Sequence, residues 1–462
     1  MGLFDKYEAL IHQTETIRSR GEIFKVHGIL IESSGPITHI GELCEIFLPD
    51  GSTAYAEVIG FNEKKVQMMA LSHIESIVPG CAVYSYGKPL EILVGDELLG
   101  RVLDGMGIPI DGKSLNFFRA KISIFNEPPD MLRRCRIKER LDTGIKAIDG
   151  ILTVGKGQRM GILSGSGVGK STLLGMIAKN TKADINVIAL IGERRREVLE
   201  FIERDLGEEG LKRSVVVIAT SDQPPLARVR SAYTATAIAE YFRDTGRDVM
   251  LMVDSVTRMA MAQREIGNAL GETPVVRGYT PSVFSLLARI LERAGTSSKG
   301  TITAFYNVLV EGGDFEEPIT DSVRGILDGH IILSRELAEK GHYPAIDITK
   351  SISRLRTEIT DTPLQSAASK IIQWLASYND IKDLLNVGAY VRGSNSAADT
   401  AIDKVDTINS FLQQGVTEII TREAMESELF GITAGAAQGF NLGGEISASN
   451  VSTGGILPLS GV

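Results

Sequence analysis

The run Gly161-Ile162-Leu163-Ser164-Gly165-Ser166-Gly167-Val168-Gly169-Lys170-Ser171-Thr172 carries the residue types that hold a polyphosphate. An apolar stretch of strand character precedes it, and Leu173-Leu174-Gly175-Met176-Ile177-Ala178, which reads as a helix, follows. Strand, glycine loop and helix are the context such a loop requires. Glycines let backbone N–H groups turn inward around a β-phosphate, and the positive end of the helix adds to the anion site. Gly165, Ser166, Gly167, Val168 and Gly169 form the cradle. Lys170 is placed to reach the β- and γ-phosphates, the Ser171 hydroxyl to ligate Mg2+, and Thr172 completes the nucleotide-binding run. Ser164 stands where the strict pattern has Gly, and a small residue suffices there, since the glycines that line the phosphates remain. A purely structural glycine turn is the alternative, and it leaves the flanking strand and helix unexplained.

Two carboxylates are candidates to work beside that loop. Val249 to Val253 is an apolar run ending in Asp254, the form expected of an aspartate that holds Mg2+ through its water shell. Val187 to Ile191 runs into Gly192-Glu193-Arg194-Arg195-Arg196-Glu197. A carboxylate at a strand's C-terminal end, one helix after the phosphate loop, is placed to orient and deprotonate an attacking water, so Glu193 is the candidate base. Otherwise Glu193 is a surface acid paired with Arg194 or Arg196.

These residues need elements to position them. From Gly21 to Leu93 short β-rich runs (Ile23 to Ile31, Leu43 to Leu48, Ala54 to Ile59, Val66 to Ala70, Ala82 to Tyr86) alternate with turn signals such as Pro49-Asp50-Gly51, which predicts a small barrel over residues 21–95. Gly100 to Gly105 and Glu127-Pro128-Pro129 then connect to a different pattern. Continuous apolar runs at Arg159 to Leu163, Ile185 to Ile191, Ser214 to Thr220, Val249 to Val253, Thr301 to Val308 and Gly329 to Leu333 alternate with helical stretches. That is the signature of a mainly parallel sheet covered on both faces, and the nucleotide-binding α/β domain is assigned to residues 96–350. Ser366 to Tyr378, Thr400 to Gln413 and Val416 to Leu429 read as helices of a third domain, 351–430. Residues 431–462 are poor in charge and rich in Gly, Ala and Ser, with too little to bury for a core. At the other end Leu3, Phe4, Tyr7, Leu10, Ile11 and Ile17 form one stripe of an amphipathic helix within residues 1–20. It either packs on its own domain or serves as a partner-binding or lipid-surface arm.

With 462 residues, 43% hydrophobic, the chain is long enough for two or three cored domains. A net charge of −9 argues against nucleic acid as partner. Cys44, Cys81 and Cys135 form no CxxC pair, and the six histidines show no metal-binding spacing, so reduced thiols and no transition metal are expected. Met1 to Lys6 lacks a basic-then-apolar leader, and no stretch approaches the ~20 apolar residues of a spanning helix. A cytoplasmic protein without a transmembrane segment is expected, any membrane association being peripheral.

The motifs G-Q-R-M-G-I-L-S-G-S-G-V-G-K-S-T-L-L-G-M, I-G-E-R, A-T-S-D-Q-P, L-M-V-D-S-V-T-R, R-G-Y-T-P-S-V-F and G-H-Y-P-A-I-D, in that order, resemble those of the flagellar-type protein export ATPases. These are relatives of the catalytic subunit of rotary ATP synthases and of the type III secretion ATPases. The resemblance spans residues 20–430. It implies a multidomain α/β architecture: an N-terminal β-barrel, a central RecA-like P-loop domain with a mainly parallel sheet, and a C-terminal helical domain. It also implies ATP and Mg2+ as cofactors, Lys170, Glu193 and Arg354 as catalytic residues, Asp254 as the second acid and Tyr343 as the ring stacked on adenine. Arg354, a better motif match than Arg356, would enter the neighbouring subunit's site. Arg195 stands where the family has a small residue; it either lowers the pKa of Glu193 or points to solvent. The implied assembly is a homo-hexamer beneath the export apparatus at the cytoplasmic face of the inner membrane. Its implied partners are a dimeric regulator at the N-terminal helix, a coiled-coil stalk-like protein in the ring, and the export gate, chaperones and export substrates. A virulence injectisome ATPase shares nearly every motif, and G-S-G-V-G-K-S-T-L-L-G-M favours the flagellum. A non-catalytic ring subunit would carry Gln at Glu193, and an ATP-synthase catalytic subunit an acidic cluster within Asn386 to Ser394. A ring helicase would want a basic, aromatic platform within residues 21–93, which is lacking.

Overall fold

A computed structural model describes residues 19–72, 76–113, 120–130, 132, 134–310 and 313–434. The amphipathic stretch from Leu3 to Ile17 and the tail beyond residue 434 lie outside the described residues. Six strands, β1 (Arg20–His27), β2 (Leu30–Ser33), β3 (Glu42–Phe47), β4 (Thr53–Asn62), β5 (Lys65–Ala70) and β6 (Ala82–Pro89), close a barrel in the order β1-β2-β5-β4-β3-β6. Alternate side chains fill it, among them Ile23, Ile31, Cys44, Ile46, Val58, Met68 and Val83. The expected single run from Ile23 to Ile31 is instead a hairpin. Gly28 takes a φ of 57°, which turns the chain within two residues and sets His27 opposite Leu30.

The barrel leads into β7 (Glu91–Val94), which pairs with β9 (Ala120–Ser123), while β8 (Arg101–Asp104) crosses to the edge of the central sheet. A small ribbon, β10 (Arg140–Leu141) with β11 (Val154–Gly155), precedes the main strands. These are β12 (Arg159–Ser164), β13 (Ile185–Ile191), β14 (Ser214–Ala219), β15 (Asp248–Asp254), β17 (Thr301–Leu309) and β18 (Gly329–Leu333), with short antiparallel additions β16 (Gly295–Thr296) and β19 (Ile352–Ser353). The order is β19-β18-β12-β17-β15-β13-β14-β8, and β8, β12–β15, β17 and β18 run parallel.

Eight helices accompany this sheet among the described residues: α1 (Lys170–Asn180), α2 (Arg195–Glu200), α3 (Gly207–Lys212), α4 (Pro225–Asp244), α5 (Val256–Ala269), α6 (Pro281–Leu291), α7 (Pro318–Ile326) and α8 (Arg335–Glu339). Ile185, Val187, Ala189 and Ile191 of β13 pack toward α4, α5 and α6, whereas Ile188 and Leu190 pack toward α1 and the C-terminal helices. Apolar on both faces, such a strand has no solvated side, and its run is continuous for that reason.

The chain ends its described part in α9 (Arg356–Ile359), α10 (Thr362–Asn386), α11 (Ser396–Leu412) and α12 (Arg422–Ala434). Asp361 caps α10 by accepting from Leu364 N at 3.0 Å, and Asn395 caps α11 by accepting from Ala397 N and Ala398 N. The last helix starts at Arg422, not at Val416, and runs past the expected end to Ala434. Residues 416–421 are rich in β-branched side chains, and Glu418 folds back so that its carboxylate accepts from Gly415 N at 3.0 Å.

Candidate active site

β12 ends at Ser164, and the chain then turns through Gly165 to Gly169 before α1 begins at Lys170. Gly167 and Gly169 adopt φ of 77° and 82°, and a Cβ at Gly169 would meet the Tyr343 ring at 3.2 Å. Only glycine takes both the left-handed turn and that close approach without strain. The C-terminal ends of β13, β15 and β17 stand beside the loop, the place where open α/β sheets bind ligands.

There the predicted residues converge. Lys170 Nζ donates to Asp254 Oδ1 at 2.8 Å and lies 3.5 Å from Glu193 Oε1. Asn307 of β17, fully buried, donates from Nδ2 to the same Asp254 oxygen at 2.6 Å, and Ser164 Oγ donates to Asn307 Oδ1 at 3.4 Å. The hydroxyl at Ser164 is thus the far end of a chain that holds Asp254. Asn307 is a residue the sequence reading missed, and its signal was a lone amide in the otherwise apolar end of T-I-T-A-F-Y-N-V-L.

Burial is the largest influence on Glu193 and pushes its carboxyl up to about 7 against the opposing pull of Lys170, with Asp254 and Glu197 adding to the rise. Burial works against the Lys170 charge too, but Asp254 and Glu193 together outweigh it and hold the ammonium above its usual range. Arg194 pairs with Glu197 and Arg196 with Glu200, so Glu193 is not the surface partner of either. Arg195 is 78% exposed and pairs with Asp222 at 2.7 Å, which takes its charge away from Glu193.

A cavity of about 730 Å³ opens over the loop, bounded by Gly165 to Thr172 (Val168 excepted), Glu193, Asp254, Tyr343 and, from the C-terminal segment, Gln414 and Val416. Val168 is buried beneath the loop, so its part in the cradle falls to its backbone. Tyr343 is 45% exposed, and its carbonyl accepts from Gln414 N at 2.9 Å. Arg258 also lines the cavity, and its Nε is buried without a partner among the described residues. Arg258 ends the run L-M-V-D-S-V-T-R, where nothing in the sequence marks it as a wall residue.

Arg354 is not part of this cavity. It follows β19, which pairs with the N-terminal end of β18, at the opposite end of the strands from the loop. Its Nη2 donates to the Arg324 carbonyl at 3.2 Å, and Arg356 reaches Ser369. Among the described residues no helix is long and apolar enough to cross a membrane.

A glycine loop between strand and helix, with its lysine held by two carboxylates on neighbouring strands, defines the molecule as a P-loop nucleotide-binding protein of the RecA-like α/β class. Three family descriptions match successive parts of the chain: the ATP synthase alpha/beta family β-barrel domain at 23–87, its nucleotide-binding domain at 144–353, and the type III secretion EscN ATPase C-terminal domain at 360–430. A flagellum-specific ATP synthase of Bacillus subtilis is 52% identical over 92% of this chain and 97% of its own. A type 3 secretion system ATPase of Xanthomonas euvesicatoria is 48% identical over 88% of this chain and 92% of its own. The structure of the assembled ATPase EscN of enteropathogenic E. coli superimposes with a TM-score of 0.84 at 44% identity, covering 89% of this chain and 99% of that one. The chain belongs to the ATP synthase alpha/beta family, in its branch of flagellum-specific and type III secretion ATPases, and is an ATP-using enzyme.

Proposed function

We propose that this chain hydrolyses Mg-ATP at the phosphate loop as the ring-forming ATPase of flagellar protein export. The observation that carries the reading is Lys170 suspended between Asp254 and Glu193 over the loop, an arrangement a structural glycine turn has no use for. Lys170 exchanges its carboxylate contacts for the β- and γ-phosphates when ATP enters. Glu193, poised near neutrality, accepts the proton of the attacking water. Arg258 lines the same space, carries a buried donor without a partner among the described residues, and meets phosphate charge there. The half-exposed ring of Tyr343 at the cavity wall supplies the adenine platform.

The donor set suits a hard cation. Ser171 offers a hydroxyl, Asp254 a carboxylate, and Glu193 Oε1 is buried with no hydrogen-bond partner among the described residues. Ser171, directly, and Asp254, through water, would hold Mg2+. Bound there, Mg2+ neutralises charge on the phosphates.

Arg354 lies away from its own loop and therefore serves the loop of the next copy in a homo-hexamer. The assembled EscN ATPase, and its complex with the central stalk EscO, support a ring with a stalk-like partner in it. The flagellar reading is favoured over the injectisome one by relatives at 52% and 51% identity against 48% for the first secretion ATPase. On this reading the barrel (21–95), the nucleotide domain (96–350) and the helical domain (351–430) form one ring subunit at the cytoplasmic face of the inner membrane. A dimeric regulator at the N-terminal helix, the export gate, chaperones and export substrates are its further partners.

Phosphate release from Mg-ATP across a range of protein concentrations tests chemistry and assembly together. Specific activity should rise with concentration, and Lys170→Ala, Glu193→Gln and Arg354→Ala should each lose about a thousandfold in rate. Arg354→Ala should still bind ATP. A parent that binds ATP yet hydrolyses none at any concentration overturns the reading.

A further inference from the structure

We propose that Arg324 is a second cation delivered, with Arg354, to the ATP phosphates of the next copy in the ring. This deepens the reading of Arg354 as acting between copies and rests on it. The geometry begins with α7, which ends at Ile326, so the carbonyl of Arg324 lies in its last turn and has no N–H within the helix to accept from. Arg354 Nη2 donates to that carbonyl at 3.2 Å, and Arg354 N donates to Asp328 O at 3.0 Å. The negative end of α7 is thus capped by a guanidinium that the β18–β19 pairing brings alongside.

The side chain of Arg324 is itself unprovided for. Among the described residues its Nε is buried with no hydrogen-bond partner. The acid four residues on, Asp328, is taken by Arg159 in a two-pronged contact at 3.1 Å. Among the described residues neither Arg324 nor Arg354 has a carboxylate partner. His330 of β18 pairs with Ile352 beside them, and its imidazole is held below its ordinary range first by burial and then by both guanidinium charges, against a backbone contact at Lys350. Two guanidinium groups without a carboxylate at one edge of the sheet repel each other until an anion arrives. Guanidinium forks match phosphate oxygens, and a polyphosphate carries the charge to satisfy both.

The test is complementation between impaired copies. Arg324→Ala should lower kcat about tenfold or more, with KM for ATP and the thermal midpoint nearly unchanged, because the group meets charge in the transition state on another copy. Mixed in equal amounts with Lys170→Ala, it should recover to about a quarter of parental activity. One interface in four then sets an intact loop against an intact Arg324. Arg354→Ala mixed with Lys170→Ala is the parallel measurement. Recovery of the Arg354 mixture alone removes Arg324 from the interface and leaves the reading of Arg354 standing. Recovery of neither removes both. If Arg324→Ala melts early, Arg324→Gln, which keeps part of the stem and a hydrogen-bonding group without the charge, replaces it in the same mixture with the same expected outcome.

Discussion

Glu193 holds its proton near neutrality because a carboxylate sunk in the cavity wall is short of solvent, and the neighbouring ammonium of Lys170 only partly compensates. Only the ionised carboxylate accepts a proton, so kcat/KM for Mg-ATP should climb between about pH 6 and 8 with its midpoint near 7, followed by phosphate release. A flat profile over that span would detach Glu193 from proton acceptance. The same shift has a cost in stability, with a defined sign. The folded carboxyl binds its proton more tightly than the unfolded chain, whose value is 4.5, so its contribution is complete below that pH and lost as pH rises through about 7. At this scale much of the cavity was legible, because Lys170, Ser171 and Asp254 announce themselves by their place at the end of a strand or start of a helix. The direction of Arg195 was not, since it depends on Asp222, brought beside it from the segment after β14. Arg258 and Gln414 become visible as wall residues only when segments distant in sequence close over the loop.

The loop between β12 and α1 shows why glycines there are not interchangeable. Gly169→Ala forces a left-handed φ of 82° on a residue with a Cβ and drives that carbon to 3.2 Å from Tyr343, a strain of about 1–2 kcal/mol before any repacking. Gly165 has no positive φ, and a Cβ there would find its nearest neighbour beyond the adjacent residues, Val310 O, at 4.0 Å. Thermal melts without nucleotide should therefore separate the two: Gly169→Ala unfolds earlier than the parent, and Gly165→Ala melts with it. Equal shifts for both would mean that the Tyr343 wall yields freely. Elements with one dominant signal were readable, as in the wholly buried β13 and β14. Those set by a single backbone angle or a distant partner were not: Gly28 splits the first barrel run, and Glu418 withholds residues 416–421 from α12.

Across the whole molecule, barrel and nucleotide domain are joined by a buried ion pair. Arg230 of α4 donates to Glu57 of β4 at 2.7 and 2.5 Å, and its guanidinium lies 4.8 Å from the Phe125 ring centre and 5.2 Å from that of Tyr233. Below it Arg293, fully buried, donates to Glu240 at 2.8 and 2.6 Å. Removing one member leaves an uncompensated charge, at about 3–5 kcal/mol, so Arg230→Ala should lower the thermal midpoint by roughly 5 °C and expose the junction to protease. A midpoint within a degree of the parent would make the barrel a loosely tethered body. The three-part order of barrel, α/β domain and helices was legible from changes of period along the chain. The reach of β8 into the central sheet was not, because its parallel partner β14 comes after five further strands and a phosphate loop.

If Arg354 serves the next copy as proposed, the placement of the phosphate loop and Arg354 at opposite ends of the strands gives each copy a face that lends and a face that borrows. On the proposed assembly, an open string of copies always has one complete site fewer than it has members, and closing the string supplies the missing one. Closure then costs nothing in new contacts of a different kind, yet it alone removes the idle end. A supply of partners that merely tips arcs into circles would raise turnover without touching any catalytic group.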